Sequence, residues 1–181
     1  MSRRNGPWII KQTIERYRNS FLTVFHDDVI QPDGKPGTYA TVTLKAGIAI
    51  LPLRDDDQVV LVRQFRYALG RESLEVVSGT RDDGENAREA ARRELREEVG
   101  LTATEWVGLG ACDMDTSIVR CPVQLFLVRG LSATQSAREG TENMKTVTMP
   151  FEEAIREVIS GGITHSPSCI LLLKARLHIS G

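Results

Sequence analysis

The chain reads as an α/β protein, a sandwich of helices around a mixed β-sheet with a small β unit at its N-terminus. Three observations carry that expectation. Apolar β-branched runs recur along the first half, one well-capped helix interrupts them, and two further helical segments close the chain.

Residues 8–17 and 20–30 read as strands of the N-terminal unit, which is taken as residues 1–45, and Gln31-Pro32-Asp33-Gly34 supplies the following turn. Residues 39–53 and 58–65 are rich in Val, Ile and Leu, with Asp55-Asp56-Asp57 as a hairpin turn between them. A further strand, carrying Glu75, leads towards the central helix. Asn86 with Glu89 three residues on forms a capping box, and Gly100 suits the position after the last turn, which gives a helix of about 13 residues. Ala87, Ala91, Leu95 and Val99 recur every four residues and supply its apolar stripe. Strands are expected near 106–113 and 122–128, and Met144–Pro150 reads as a strand after a loop over 132–145. Two helices fit 151–160 and 167–178, the second capped by Ser166 with Pro167 in its first turn.

With 181 residues and 41% hydrophobic content, the chain supports one core and a small appended unit. Its net charge of −1 offers no general attraction for nucleic acid or anionic membranes, so any affinity for phosphate must be local. The start, MSRRNGPWIIKQ, lacks the apolar stretch of a signal peptide, and charges recur too often for a membrane span, so a cytoplasmic location is expected. Cys112, Cys121 and Cys169 are odd in number and lack CxxC spacing, which argues against a disulfide framework and a zinc site and for small buried residues. His26, His165 and His178 have no ligand spacing and receive no metal or base role.

Glu94, Glu97 and Glu98 share one side of the central helix. At about 100° per residue, Glu97 and Glu98 fall within about 60° of Glu94, while Arg88, Arg92 and Arg96 point roughly the opposite way. Like charges at this spacing cost roughly 0.2–0.5 kcal/mol per pair, so a segregated acidic arc calls for a cation. Magnesium (Mg2+) favours carboxylate oxygens, keeps several waters and bridges protein to phosphate, which fits such a site.

The stretch from Gly79 to Leu101 resembles the Nudix box: Gly79, five residues, Glu85, seven residues, Arg93-Glu94-Leu95, one residue, Glu97-Glu98, one residue, Gly100-Leu101. The resemblance implies a Nudix α/β/α sandwich over residues 46–181. It also implies a hydrolase of a nucleoside diphosphate linked to another group, with magnesium, or manganese instead, held on the diphosphate. By the same resemblance Glu94, Glu97, Glu98 and the carbonyl of Ser78 are metal ligands. Arg93 orients Glu97, four positions on, and both belong to the catalytic set. Glu85 buttresses the loop or assists with the metal, without being a primary ligand.

The flanks narrow the likeness. Gln64-Phe65-Arg66-Tyr67, Gly70-Arg71-Glu72, Leu74-Glu75 and Gly162-Ile163-Thr164 before an apolar helix are similar to ADP-ribose and ADP-sugar pyrophosphatases. That similarity implies a nucleoside diphosphate sugar as substrate, and a homodimer built through residues 1–45. The catalytic base is expected on the loop over 132–145, with Glu142 first and Glu139 second. Arg66, Arg71 and Glu75 are the candidate substrate contacts, each weighed against an ordinary surface or structural ion pair. Trp8, Tyr17 and Phe25 are weighed as base-stacking groups against packing in the β unit.

Two departures leave base and sugar open, GDP-mannose included. Val77-Ser78-Gly79 stands where the subfamily has Pro-Ala-Gly, and Asp113-Met114-Asp115-Thr116-Ser117 where it often has Ser-Pro-Gly. The alternatives are a Nudix hydrolase of oxidised nucleoside triphosphates or dinucleotides, and a sensor that binds nucleotide sugar without turnover. The full set of glutamates speaks for an enzyme.

Overall fold

A computed structural model describes residues 2–134 and 144–181. In chain order the strands before the first helix are β1 (Arg3–Asn5), β2 (Trp8–Arg18), β3 (Leu22–Ile30), β4 (Pro36–Leu44), β5 (Gly47–Pro52), β6 (Gln58–Arg66) and β7 (Arg71–Thr80). Then come α1 (Ala87–Val99), β8 (Leu101–Asp113), β9 (Val119–Arg120), β10 (Pro122–Ala133), β11 (Met144–Pro150), α2 (Phe151–Ser160) and α3 (Ser166–Ser180). They fall into two units, one formed by the chain up to Lys45 with Asp113–Cys121, the other by Ala46–Cys112 with Pro122–Gly181.

The first unit is a sheet in the order β1-β2-β3-β4-β9. Its turns follow from short polar side chains: the Asn19 carboxamide oxygen accepts from the backbone N–H groups of Phe21 and Leu22, both at 2.8 Å, and so reverses the chain between β2 and β3. Trp8 packs edge-on against Tyr39 with ring centroids 5.3 Å apart. Tyr39 in turn donates its hydroxyl to the Ser117 carbonyl at 2.5 Å, and β9 pairs in parallel with β4 through Val42 and Val119.

The second unit holds a mixed sheet in the order β11-β6-β7-β5-β10-β8, with β5 and β10 parallel. Every residue of β5 is buried, as expected of a strand covered on both faces. Ile48 and Ile50 face α1, where they pack with Ala90, Ala91 and Leu95. Their neighbours Ala49 and Leu51 alternate to the opposite face, and α3 packs against β5, β7 and β10. The layers are those of an α/β sandwich.

Three local expectations need correction. Residues 39–53 are two strands, β4 and β5, that break at Lys45-Ala46 and belong to different units. Both halves are apolar and β-branched, so the hydrophobic pattern carries no mark of the break. Asp55–57 do form a turn, with Asp57 at φ +58°, closed by the isolated Leu53–Val59 bridge just past the end of β5, yet β5 and β6 are not neighbours in the sheet because β7 lies between them. The true hairpin joins β6 to β7 through a short 3-10 turn at Tyr67–Leu69. Finally, α3 begins one residue earlier than expected: His165 is its N-cap, Ser166 is already helical, and no side chain caps the end.

Candidate active site

The start of α1 is fixed by its own side chains. Asn86 accepts from the N–H groups of Arg88 and Glu89, both at 3.0 Å, and Glu89 accepts from the Asn86 N–H at 2.9 Å. Gly100, at φ +64°, closes the other end by donating its N–H to the Arg96 carbonyl at 3.0 Å. Arg88 and Arg92 lie over the Trp106 ring, each 5.8 Å from its centroid, on the side away from the glutamates.

With the helix so placed, two carboxylates reach the end of β7. Glu98, only 7% exposed, accepts from the Ser78 N–H at 3.3 Å. Glu94 lies against the α-carbon of Gly79, filling the space that a β-carbon there would need. Glycine at this position is therefore a matter of room.

Arg93 gathers the remaining acids. One terminal nitrogen donates to Glu94 at 2.8 Å and to Glu97 at 3.2 Å; the other donates to Glu85 at 3.1 Å and to the Thr80 carbonyl at 2.9 Å. Its Nε reaches Glu85 as well, at 3.2 Å. The hydrogen bonds that Arg93 donates to Glu85 hold the guanidinium charged against the cost of its partial burial, and they hold the Glu85 carboxyl below its usual range in return. Part of the positive charge that the acidic arc calls for thus comes from the chain itself.

A second charged pair stands at the β6–β7 hairpin. Arg66 donates to both oxygens of Glu75, at 2.9 and 2.5 Å, in a bidentate pair. Glu75 is 1% exposed, whereas the Arg66 side chain remains 39% exposed. Burial is the largest single influence and would raise the Glu75 carboxyl, but the Arg66 hydrogen bonds, the neighbouring His165 and a hydrogen bond from the Ser73 side chain together outweigh it, and the group lies below its ordinary range. His165 sits on the other side, its Nδ1 3.5 Å from the same carboxylate. Burial pushes that imidazole down from its usual value against the opposing pull of the Glu75 carboxylate, and Arg66 is the main partner that keeps Glu75 ionised.

The family model for the NUDIX domain matches residues 43–163. The chain belongs to the Nudix family. Among its relatives, the ADP-ribose pyrophosphatase of Mycobacterium tuberculosis is 33% identical over 153 residues, covering 83% of this chain and 74% of that protein. The ADP-ribose pyrophosphatase of Bacillus subtilis is 28% identical over 146 residues, covering 80% of this chain and 79% of that one. A crystal structure of an ADP compounds hydrolase superposes with a TM-score of 0.83 at 22% identity, covering 95% of this chain and 94% of that chain, a likeness of fold.

In this Nudix chain, Glu94, Glu97 and Arg93 come together, and Glu94 and Glu98 both adjoin the Ser78-Gly79 backbone. Arg66 and Glu75 form a pair of their own. Arg71 is tied to the Thr164 hydroxyl at 2.9 Å and to the Glu72 carbonyl at 3.4 Å. Glu139 and Glu142 lie outside the described residues. His165 and Ser168 are what the sequence reading passed over. They stand some 90 residues from Glu75 and Val76 in the chain, and no spacing rule links them.

Among the described residues, no three acidic, histidine or cysteine side chains form a complete metal cage by themselves. A magnesium ion does not need one, because it keeps several waters and is commonly bound through one or two carboxylates plus substrate phosphates. The donors near Ser78-Gly79, which are carboxylate and carbonyl oxygens with no sulfur or imidazole, fit a hard divalent cation.

Proposed function

We propose that this Nudix hydrolase cleaves the diphosphate bond of ADP-ribose or a related nucleoside diphosphate sugar, releasing a nucleoside monophosphate and a sugar phosphate. The observation that carries the reading is the placement of Glu94 and Glu98 against the same two residues of β7. Such a donor set suits a cation that must sit on a diphosphate, and the names of the two ADP-ribose pyrophosphatases point to the substrate class.

Glu94, Glu98, Glu97 and the Ser78 carbonyl are the residues that would hold magnesium, or manganese in its place. A bound divalent metal would neutralise the diphosphate and lower the pKa of an attacking water. Arg93 keeps Glu94 and Glu97 oriented and ties them to the loop through Glu85 and Thr80. Arg66, held in place by Glu75 and with part of its side chain in solvent, would turn the outer edge of its guanidinium to a phosphate. Arg71 and Glu75 complete the substrate side, and Glu142, with Glu139 as second choice, takes the proton from water. Residues 1–45 serve as the dimerisation element of a homodimer.

Three cysteines without a disulfide among them agree with a reducing compartment, and we place the enzyme in the cytoplasm, without nucleic acid or membrane as partner. Among the described residues, no helix is long and apolar enough to cross a membrane.

The test is a panel of nucleoside diphosphate sugars, nucleoside triphosphates and dinucleotides with magnesium, scored by product. ADP-ribose or another nucleoside diphosphate sugar is expected to yield a nucleoside monophosphate and a sugar phosphate. Turnover of triphosphates or dinucleotides alone would replace this substrate class. Tight binding of nucleotide sugar with no product would mark a sensor.

A further inference from the structure

His165 is the one histidine that lies, half-buried, next to a charged pair of the candidate site. It is the N-cap residue of α3, with φ −67° and ψ 114°, and its side chain makes no capping bond to the backbone N–H groups of the first turn. Nδ1 instead meets the Ser168 hydroxyl oxygen at 2.8 Å and faces Glu75 at 3.5 Å. Ser168 is fully buried, and its oxygen also accepts the Val76 N–H at 3.0 Å. The imidazole is thus pinned to the strand that carries Glu75, one residue along from it. The Arg71 bond to Thr164 adds a second stitch between the same strand and the same turn.

We propose that His165 is a positioning residue for Arg66, acting through Glu75. The inference rests on the reading of Arg66 as a substrate contact. A buried carboxylate is costly unless its oxygens are matched by donors. Arg66 supplies two of them and the Ser73 side chain a further one, and the α3 turn brings the His165 ring against the same carboxylate. An ionised Glu75 at 3.5 Å favours the tautomer that carries its proton on Nδ1, which donates to Ser168 and turns a positive edge towards Oε2. Together with the Ser73 hydrogen bond, this edge biases the rotation of the carboxylate, and a bidentate partner lies in the plane of that carboxylate. His165 therefore sets the direction of the Arg66 fork without touching a substrate.

The experiment compares His165→Phe, His165→Gln, His165→Asn and Arg66→Lys with the parent enzyme, measuring kcat and KM for ADP-ribose with magnesium beside a thermal melt of each. Phenylalanine fills the ring's place without Nδ1, and glutamine carries its amide further out, near Nε2. Asparagine puts an amide close to Nδ1. His165→Phe and His165→Gln are expected to raise KM about tenfold with kcat within about threefold, the size of effect that misdirecting one charged binding group produces. His165→Asn is expected to bring KM back to within about threefold of the parent. A purely structural role would lower the melting temperature and the active fraction and leave KM alone, which would overturn the proposal. If His165→Phe does not fold, His165→Gln carries the same comparison. A raised KM in Arg66→Lys with unchanged KM in the His165 variants would sink the positioning role only. An unchanged KM in Arg66→Lys would remove Arg66 from substrate binding and this inference with it.

Discussion

The carboxylate of Glu94 occupies the space in which a side chain at Gly79 would stand. Gly79 lies in regular β7, paired with Ile48, and its backbone is one that any residue can adopt. Gly79→Ala should therefore fold and yet displace Glu94. The expected result is a loss of at least about tenfold in kcat, the scale on which misplaced catalytic groups act, with a far-UV spectrum like the parent's. Unchanged turnover would mean that the position of Glu94 does not matter to the reaction.

Arg93 serves Glu85, Glu94, Glu97 and the Thr80 carbonyl at once through a planar fork. A lysine brings one compact charge and cannot span those acceptors. Arg93→Lys is expected to lower stability by about 1–3 kcal/mol, as when hydrogen bonds to charged groups are lost, and to reduce kcat as Glu94 and Glu97 loosen. Denaturant unfolding together with steady-state kinetics checks both parts.

Acid should weaken the fold in two steps. His165 and Glu75 both titrate below their usual values of 6.5 and 4.5 in the folded chain. The unfolded chain therefore binds more protons than the folded one at acid pH. The stability linked to His165 is present above 6.5 and is lost as the pH falls below it, and that linked to Glu75 is lost below 4.5. Melting temperatures over a pH series should fall from 6.5 downwards, and His165→Asn should flatten the upper step and keep the lower one. An unaltered upper step in that variant would assign it to other groups.

The roles proposed for Glu98 and Glu142 predict different kinetic signatures. Glu98→Gln should abolish most turnover, by orders of magnitude, with the fold intact, since the amide still fills the buried place beside Ser78. Glu142→Gln should also cut turnover strongly but leave the binding of ADP-ribose nearly unchanged, as measured by calorimetry. Parent-like rates in Glu142→Gln would transfer the base to Glu139 or into the helix.

What the sequence disclosed, it disclosed through local rules. The Asn86–Glu89 box and Gly100 lie within a few residues of the bonds they make, and the glutamates of α1 share a side by periodicity alone. The family pattern then said what such an arc is used for. What stayed hidden depends on contacts across the chain. The break at Lys45-Ala46 separates two runs of the same apolar character, and only tertiary pairing tells them apart. His165 looked idle because its partners, Glu75 and the Ser168 that reaches Val76, are brought to it by the packing of α3 on β7. Arg93 was expected to orient one glutamate, and the loop before α1 lets it hold three.

The return of Asp113–Cys121 to the first unit bears on how this protein can be cut and recombined. Val119 and Arg120 complete the N-terminal sheet beside Val42 and Thr43, Ile118 accepts from the Val42 N–H, and Cys121 lies against the Lys45 carbonyl. A chain shortened to begin at Ala46 would keep that nine-residue excursion while losing the sheet it was made for. Shuffling the N-terminal unit between homologues would have to transplant two separate pieces of gene together, so the unit is inherited as a pair of segments and not as a cassette.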